Sequence, residues 1–169
     1  LWDYDKDVIE YVKSNKTLSG YRGKLYMPDE FILDVDGANI DQAKQLTHGL
    51  IDLLNIPMQV YFSGEKGFHI HISGTAFKWK PCKDLNLRVK HTLKNYGIYD
   101  FADPLVIDKV RLIRIPNTKK LSSGYWKVPI KISDINDVDI EWLHVNAVKA
   151  KDDFEYAELE TNPIFDVSK

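Results

Sequence analysis

Apolar positions recur along this chain in two rhythms, and together they predict a mixed α/β order. Residues 3–14 carry Val8, Ile9 and Val12 at helical spacing, behind Asp3, Asp5 and Asp7, whose charges suit a helix N-terminus. Residues 30–37 read EFILDVDG, an apolar run ending in two alternating acids and a glycine, which predicts a strand closing at a turn. Asn39 or Asp41 then caps a helix through residues 43–55, with Leu46, Leu50, Leu53 and Leu54 on one side. Pro57 follows, and MQVYF at 58–62 is the next strand, leading through Ser63-Gly64-Glu65-Lys66-Gly67 into a second strand-like run, FHIHIS.

Further on, residues 84–97 predict a helix ending at a Gly97 C-cap, and PLVID at 104–108 predicts a strand that again ends in an acid. VRLIRIP at 110–116 and YWKVPIKI at 125–132 are two more strand candidates, separated by a turn at Ser122-Ser123-Gly124. Ser133 or Asp134 starts a last helix through residues 138–149, and the acidic stretch 151–169 has little patterning. The expected fold class is α+β.

Composition narrows the class. With 169 residues, 44% hydrophobic and 28% charged, the chain fits one soluble domain with a sizeable core. It begins at Leu1, so the expectation is a single domain over 1–169 excised from a longer protein. The one cysteine, Cys82, excludes an internal disulfide and a cysteine-based zinc cluster, and it fits a reducing, cytoplasmic setting. No apolar run approaches the roughly 18 residues that a membrane span needs, so no membrane partner is expected. The net charge of −2 hides an uneven distribution, because residues 78–131 hold 13 Lys/Arg against 4 Asp/Glu. Such a stripe is what a phosphate backbone would meet, although a solvated helix face with loop lysines has the same composition.

Three groups of residues carry candidate chemistry. Asp34 and Asp36 alternate on a strand and so share a face, where two like charges call for a cation such as Mg²⁺ or Mn²⁺ unless solvent reaches both. Asp108, also at a strand end, is a possible third ligand. The 63–67 turn offers backbone N–H groups, the Ser63 hydroxyl and the Lys66 ammonium to a triphosphate, or is a plain hairpin; it is not a P-loop. His69 and His71 share a strand face directly behind that turn. Arg111 and Arg114 have odd spacing, so in an extended run at most one faces a given cleft, with Lys119 and Lys120 extending the positive charge. His48, His91 and His144 read as structural or surface residues.

In order, FILDVDG, FSGEKGFHIHI and LVIDKVRLIRIPNTKKLSSGYWKVPI resemble the archaeo-eukaryotic primase superfamily over about residues 31–130. The resemblance implies a mainly antiparallel, RRM-like sheet with flanking helices and a catalytic cleft. It implies a DNA primase or primase-polymerase, a template-directed nucleotidyltransferase of the plasmid, phage or mobile-element type. Asp34, Asp36 and Asp108 then look like the carboxylates that bind Mg²⁺ or Mn²⁺. Ser63, Lys66, His69, Arg114 and Lys120 look like nucleotide-binding residues, Lys120 standing where many primase small subunits have a histidine. The implied partners are a single-stranded DNA template and primer, NTPs or dNTPs, and a helicase or other replication domains; no zinc is expected. A rival resemblance, to the rolling-circle replication nickases, rests on His69-Ile70-His71 with Tyr96 or Tyr99 as nucleophile. A second rival is a nucleic-acid-binding domain that keeps the fold without catalysis.

Overall fold

The computed structural model describes residues 6–17, 30–78, 85–103, 113–155, 159 and 163–166. Four strands form an antiparallel sheet in the order β1-β3-β2-β5: β1 (Glu30–Asp36), β2 (Met58–Phe62), β3 (Gly67–Ser73) and β5 (Pro129–Ile130). β4 (Phe77–Lys78) and β6 (Phe165–Asp166) make a separate parallel pair, closed by a stack of Phe77 on Phe165. The helices are α1 (Lys6–Asn15), α2 (Ile40–Leu54), α3 (Leu85–Asn95) and α4 (Ile140–Asn146). The chain is thus α+β, a small antiparallel sheet with flanking helices.

Period-two alternation sorts β1 into two faces. Phe31, Leu33 and Val35 are buried, whereas Glu30, Ile32, Asp34 and Asp36 lie on the opposite side and keep some exposure. The apolar face continues through Val60 and Phe62 of β2 and Phe68, Ile70 and Ile72 of β3. α2 crosses β1 and β3 and closes this face with Ala43, Leu50 and Leu54, while Val89 and Leu93 of α3 join the same cluster. Asn39 caps α2 by accepting from the Gln42 N–H at 2.9 Å, so of the two candidate caps the earlier one serves. Leu53, expected on the buried side of α2, is 46% exposed, because the face is set by residues 43, 47, 50 and 54 at helical spacing.

The last third departs furthest from its pattern. Residues 113–115 take no regular structure, since Pro116 lacks an N–H and Asn117 turns the chain at φ +58°. The YWKVPIKI run contributes only Pro129 and Ile130 to the sheet. Its front half folds back as a hairpin, Asn117 N–H to Lys127 O at 2.7 Å and Lys120 N–H to Tyr125 O at 2.7 Å. The expected single helix from Ser133 or Asp134 is a 3-10 helix (Ile132–Asp137) followed by α4, which Asp139 caps by accepting from the Trp142 N–H. The predicted strand at 104–108, with Asp108, lies outside the described residues, as do Arg111 and Cys82. Among the described residues no helix is long and apolar enough to cross a membrane.

Candidate functional site

The polar face of the sheet carries the candidate site, and strand register decides who meets whom. Asp34 pairs with His69, which pairs in turn with Tyr61 of β2; one step along, Asp36 stands opposite Gly67. A cavity of about 250 Å³ opens here, lined by Asp34, Asp36, Ser63, His69, Ile113, Arg114 and Lys120. Two elements far apart in sequence thus face each other, the aspartates of β1 and the cations of the segment after residue 112. Asp103, where the described chain pauses before residue 113, donates its N–H to the Asp34 carbonyl at 2.8 Å. Ile113, where the described chain resumes, lines the cavity wall.

Both glycines of the Ser-Gly-Glu-Lys-Gly turn have a steric reason. Gly64 sits at φ +94°, and a Cβ there would stand 2.5 Å from Arg114 Nη1 and 3.2 Å from Lys120 Cβ. At Gly67 a Cβ would meet the Asp36 carboxylate and stand 2.5 Å from the Val35 carbonyl, which as backbone cannot swing aside. Gly67→Ala is expected to destabilise the protein by about 1–3 kcal/mol in urea unfolding through overpacking against β1; a loss below about 0.5 kcal/mol would contradict so close an approach of the two strands. The turn is further fastened by Ser63 N–H to Gly67 O at 2.8 Å and by the Ser123 hydroxyl, which donates to the Gly64 carbonyl.

Electrostatically the cavity has an acid floor and a basic wall. His69 Nε2 lies 3.4 Å from Asp34 Oδ1, and its Nδ1 is buried without a partner. Burial, reinforced by Lys127, His71, Arg114 and Lys120, pushes the His69 pKa down to about 2, so the ring is neutral and offers one N–H. Arg114 also has a buried, unpartnered nitrogen, Nη1, and its pKa is lowered by burial against the opposing pull of Asp34 and Glu65. Lys120 is ion-paired with Glu65 of the turn, and that pairing lowers the Glu65 pKa. A buried donor without a partner, Arg114 Nη1, beside a polar cavity is what an anionic ligand would satisfy.

Six of the residues that the sequence singles out are therefore gathered on one cavity: Asp34, Asp36, Ser63, His69, Arg114 and Lys120. Lys66 is not among its lining residues; it is exposed at the tip of the turn, and Lys120 from the later hairpin stands at the wall instead. Among the described residues no three His, Cys, Asp or Glu side chains come together as a metal cage.

Behind this cavity lies a layer that the sequence pattern does not reveal. Lys127 is fully buried, and its Nζ donates to His71 Nε2 at 3.0 Å and to the Arg114 carbonyl at 2.9 Å, 5.2 Å from the centre of the Tyr61 ring. His71 Nδ1 donates to Glu30 Oε2 at 2.9 Å, which assigns the proton to Nδ1 and leaves Nε2 to accept. Burial, then the charge of Arg114, lowers the Lys127 pKa to about 7. No signal in the sequence marks it, because in an extended run Lys127 alternates with Trp126, Val128 and Ile130 and reads as a solvated position. This burial also removes Lys127 from the basic stripe that a nucleic acid would touch.

Both nitrogens of His71 are thus engaged. Tyr96 donates its hydroxyl to the Ile164 carbonyl at 3.2 Å and packs edge-on to Phe165, while Tyr99 packs against the core with its hydroxyl buried and its pKa pushed up to about 12 by burial. Neither tyrosine lines the cavity. His48, His91 and His144 bond or stack within their surroundings, on Asn136, Asn95 and Tyr125. No protein-family model matches the chain, and no curated protein matches it.

Proposed function

We propose that the chain is the catalytic domain of a primase-polymerase of the archaeo-eukaryotic primase fold, adding nucleotides to a primer on a single-stranded template. The observation that carries this reading is the single cavity on which Asp34 and Asp36 face Ser63, His69, Arg114 and Lys120. Acids opposite cations suit a nucleoside triphosphate bound with Mg²⁺ or Mn²⁺. Asp34 and Asp36, with Asp108 as the expected third carboxylate, would hold the metal, which supplies charge neutralisation and makes the attacking hydroxyl more acidic.

The remaining work falls to the protein's own groups. The Ser63 hydroxyl, the His69 N–H, the Arg114 guanidinium and the Lys120 ammonium bind the phosphates and stabilise the charge that builds on the departing pyrophosphate. The primer 3′-oxygen attacks the α-phosphorus, its proton goes to solvent, and the bond to the β-phosphate oxygen breaks. Glu65 has to release Lys120 when phosphate arrives, and the exposed position of that pair makes the exchange inexpensive. The rolling-circle nickase reading is less well supported, since His71 is occupied by Glu30 and Lys127 and neither Tyr96 nor Tyr99 reaches the cavity.

The test incubates the protein with a primed and an unprimed single-stranded template, labelled NTPs or dNTPs, and Mg²⁺ or Mn²⁺. Extended or newly initiated product is expected in at least one combination. Template binding with no product in any of them would sink the polymerase reading, and covalent attachment of the protein to DNA would favour the nickase.

A further inference from the structure

A buried lysine needs a reason. Taking an ammonium out of water is costly, and a methionine would fill the same space at less expense to the fold. Lys127 therefore has to be explained by what it holds. Its contacts come from three places: β3 through His71, β2 through the Tyr61 ring, and the unpaired segment 113–115 through the Arg114 carbonyl. The first two belong to the rigid sheet. The third is the backbone of the residue whose side chain forms the basic wall. His71 is itself fixed, because Glu30 accepts from its Nδ1–H and so leaves Nε2 to accept from the lysine.

We propose that Lys127 is a positioning residue that ties the backbone of Arg114 to the sheet and so fixes the guanidinium where the phosphates of a nucleotide bind. The inference rests on the nucleotide reading of the cavity. Arg114 has no strand partner of its own among the described residues, and its carbonyl is held by the Lys127 side chain instead. A side-chain hydrogen bond from the Lys127 amine then takes the place of a ladder. Glu30, His71 and Lys127 thus form a relay of position, and none of the three touches the ligand.

The test compares wild type, Lys127→Met, Arg114→Ala and the double variant, using inorganic tripolyphosphate with Mg²⁺ as the binding probe and primer extension for kinetics. Lys127→Met is expected to weaken tripolyphosphate binding and raise the nucleotide KM by about tenfold, to change kcat less than threefold, and to melt no lower than wild type. Because Lys127 acts through Arg114, the double variant is expected to bind no more weakly than Arg114→Ala alone. Effects that add, or a methionine variant that binds as the wild type does, would overturn the inference while leaving the nucleotide reading intact. A wild type that neither binds tripolyphosphate nor extends a primer overturns that reading and this inference together. Should the methionine variant not fold, Lys127→Gln keeps an N–H for the Arg114 carbonyl without the charge. It is expected to bind within a few-fold of wild type, and a tenfold loss in a folded glutamine variant would overturn the inference.

Discussion

Asp34→Asn is expected to abolish nucleotide incorporation, by on the order of 10³-fold, while the protein stays folded. The substitution keeps size and shape at a position whose side chain is 21% exposed and opens on the cavity. What it removes is one negative charge from a face that already carries Asp36. Relief of that repulsion is set against the lost attraction to His69, Arg114 and the buried Lys127, so thermal unfolding should fall only modestly. The neighbouring cations Arg114 and Lys120 remain, and tripolyphosphate without metal should bind at least as well as in wild type. Primer-extension rates with Mg²⁺ and Mn²⁺, beside a thermal melt, check all of this. A folded Asp34→Asn protein within tenfold of wild-type activity would remove Asp34 from the metal-binding role.

The second large effect is on stability rather than rate. Lys127 is held near a pKa of about 7 instead of its usual 10.5, first by burial and then by the charge of Arg114, with Asp34 and Glu30 pulling the other way. Between those two values the unfolded chain binds a proton that the folded chain does not. Stability therefore rises with pH from about 7 to about 10, by on the order of 4 kcal/mol for this group, and the penalty is fully present below 7. His69 acts in a lower window with the same sign: its folded pKa of about 2 lies below the ordinary 6.5, so stability falls as the solution is made acid through pH 6. Urea unfolding of wild type and Lys127→Met at pH 7, 8, 9 and 10 separates the lysine from other groups. The difference between the two curves should shrink as pH rises, and parallel curves would show that Lys127 is not a destabilised, buried base.

Much of the local structure was legible because it depends on neighbours in sequence. Asp34 and Asp36 share a face through the period of a strand, and the observed alternation of β1 follows it residue by residue. The two glycines around Glu65 and Lys66 marked a tight turn, and α2 begins at one of the two caps expected for it. Where pattern and structure part, local rules had met a distant partner. Lys66 looked like the loop cation, but the tip of a hairpin points away from its own sheet, and the wall is supplied by Lys120 from a second hairpin clasped onto Gly64. Apolar runs after residue 110 looked like strands, yet residues 113–115 take no regular structure before Pro116 and the turn at Asn117. Tyr125, Trp126 and Lys127 of the second run pair with the hairpin from Asn117 to Lys120 rather than with the main sheet.

By itself, then, the sequence determined the α+β order, the acid face of β1, and the pairing of a glycine turn with a histidine two residues beyond it. Those are consequences of period, capping and backbone freedom, which act over a few residues. Only the tertiary structure decided that Asp34 meets His69 across β1 and β3, that Arg114 and Lys120 close the cavity from a distant part of the chain, and that His71 and Lys127 lie one layer beneath it. The reason is physical: burial and strand register set which charges meet in a low dielectric, and both belong to the packed sheet rather than to any single segment.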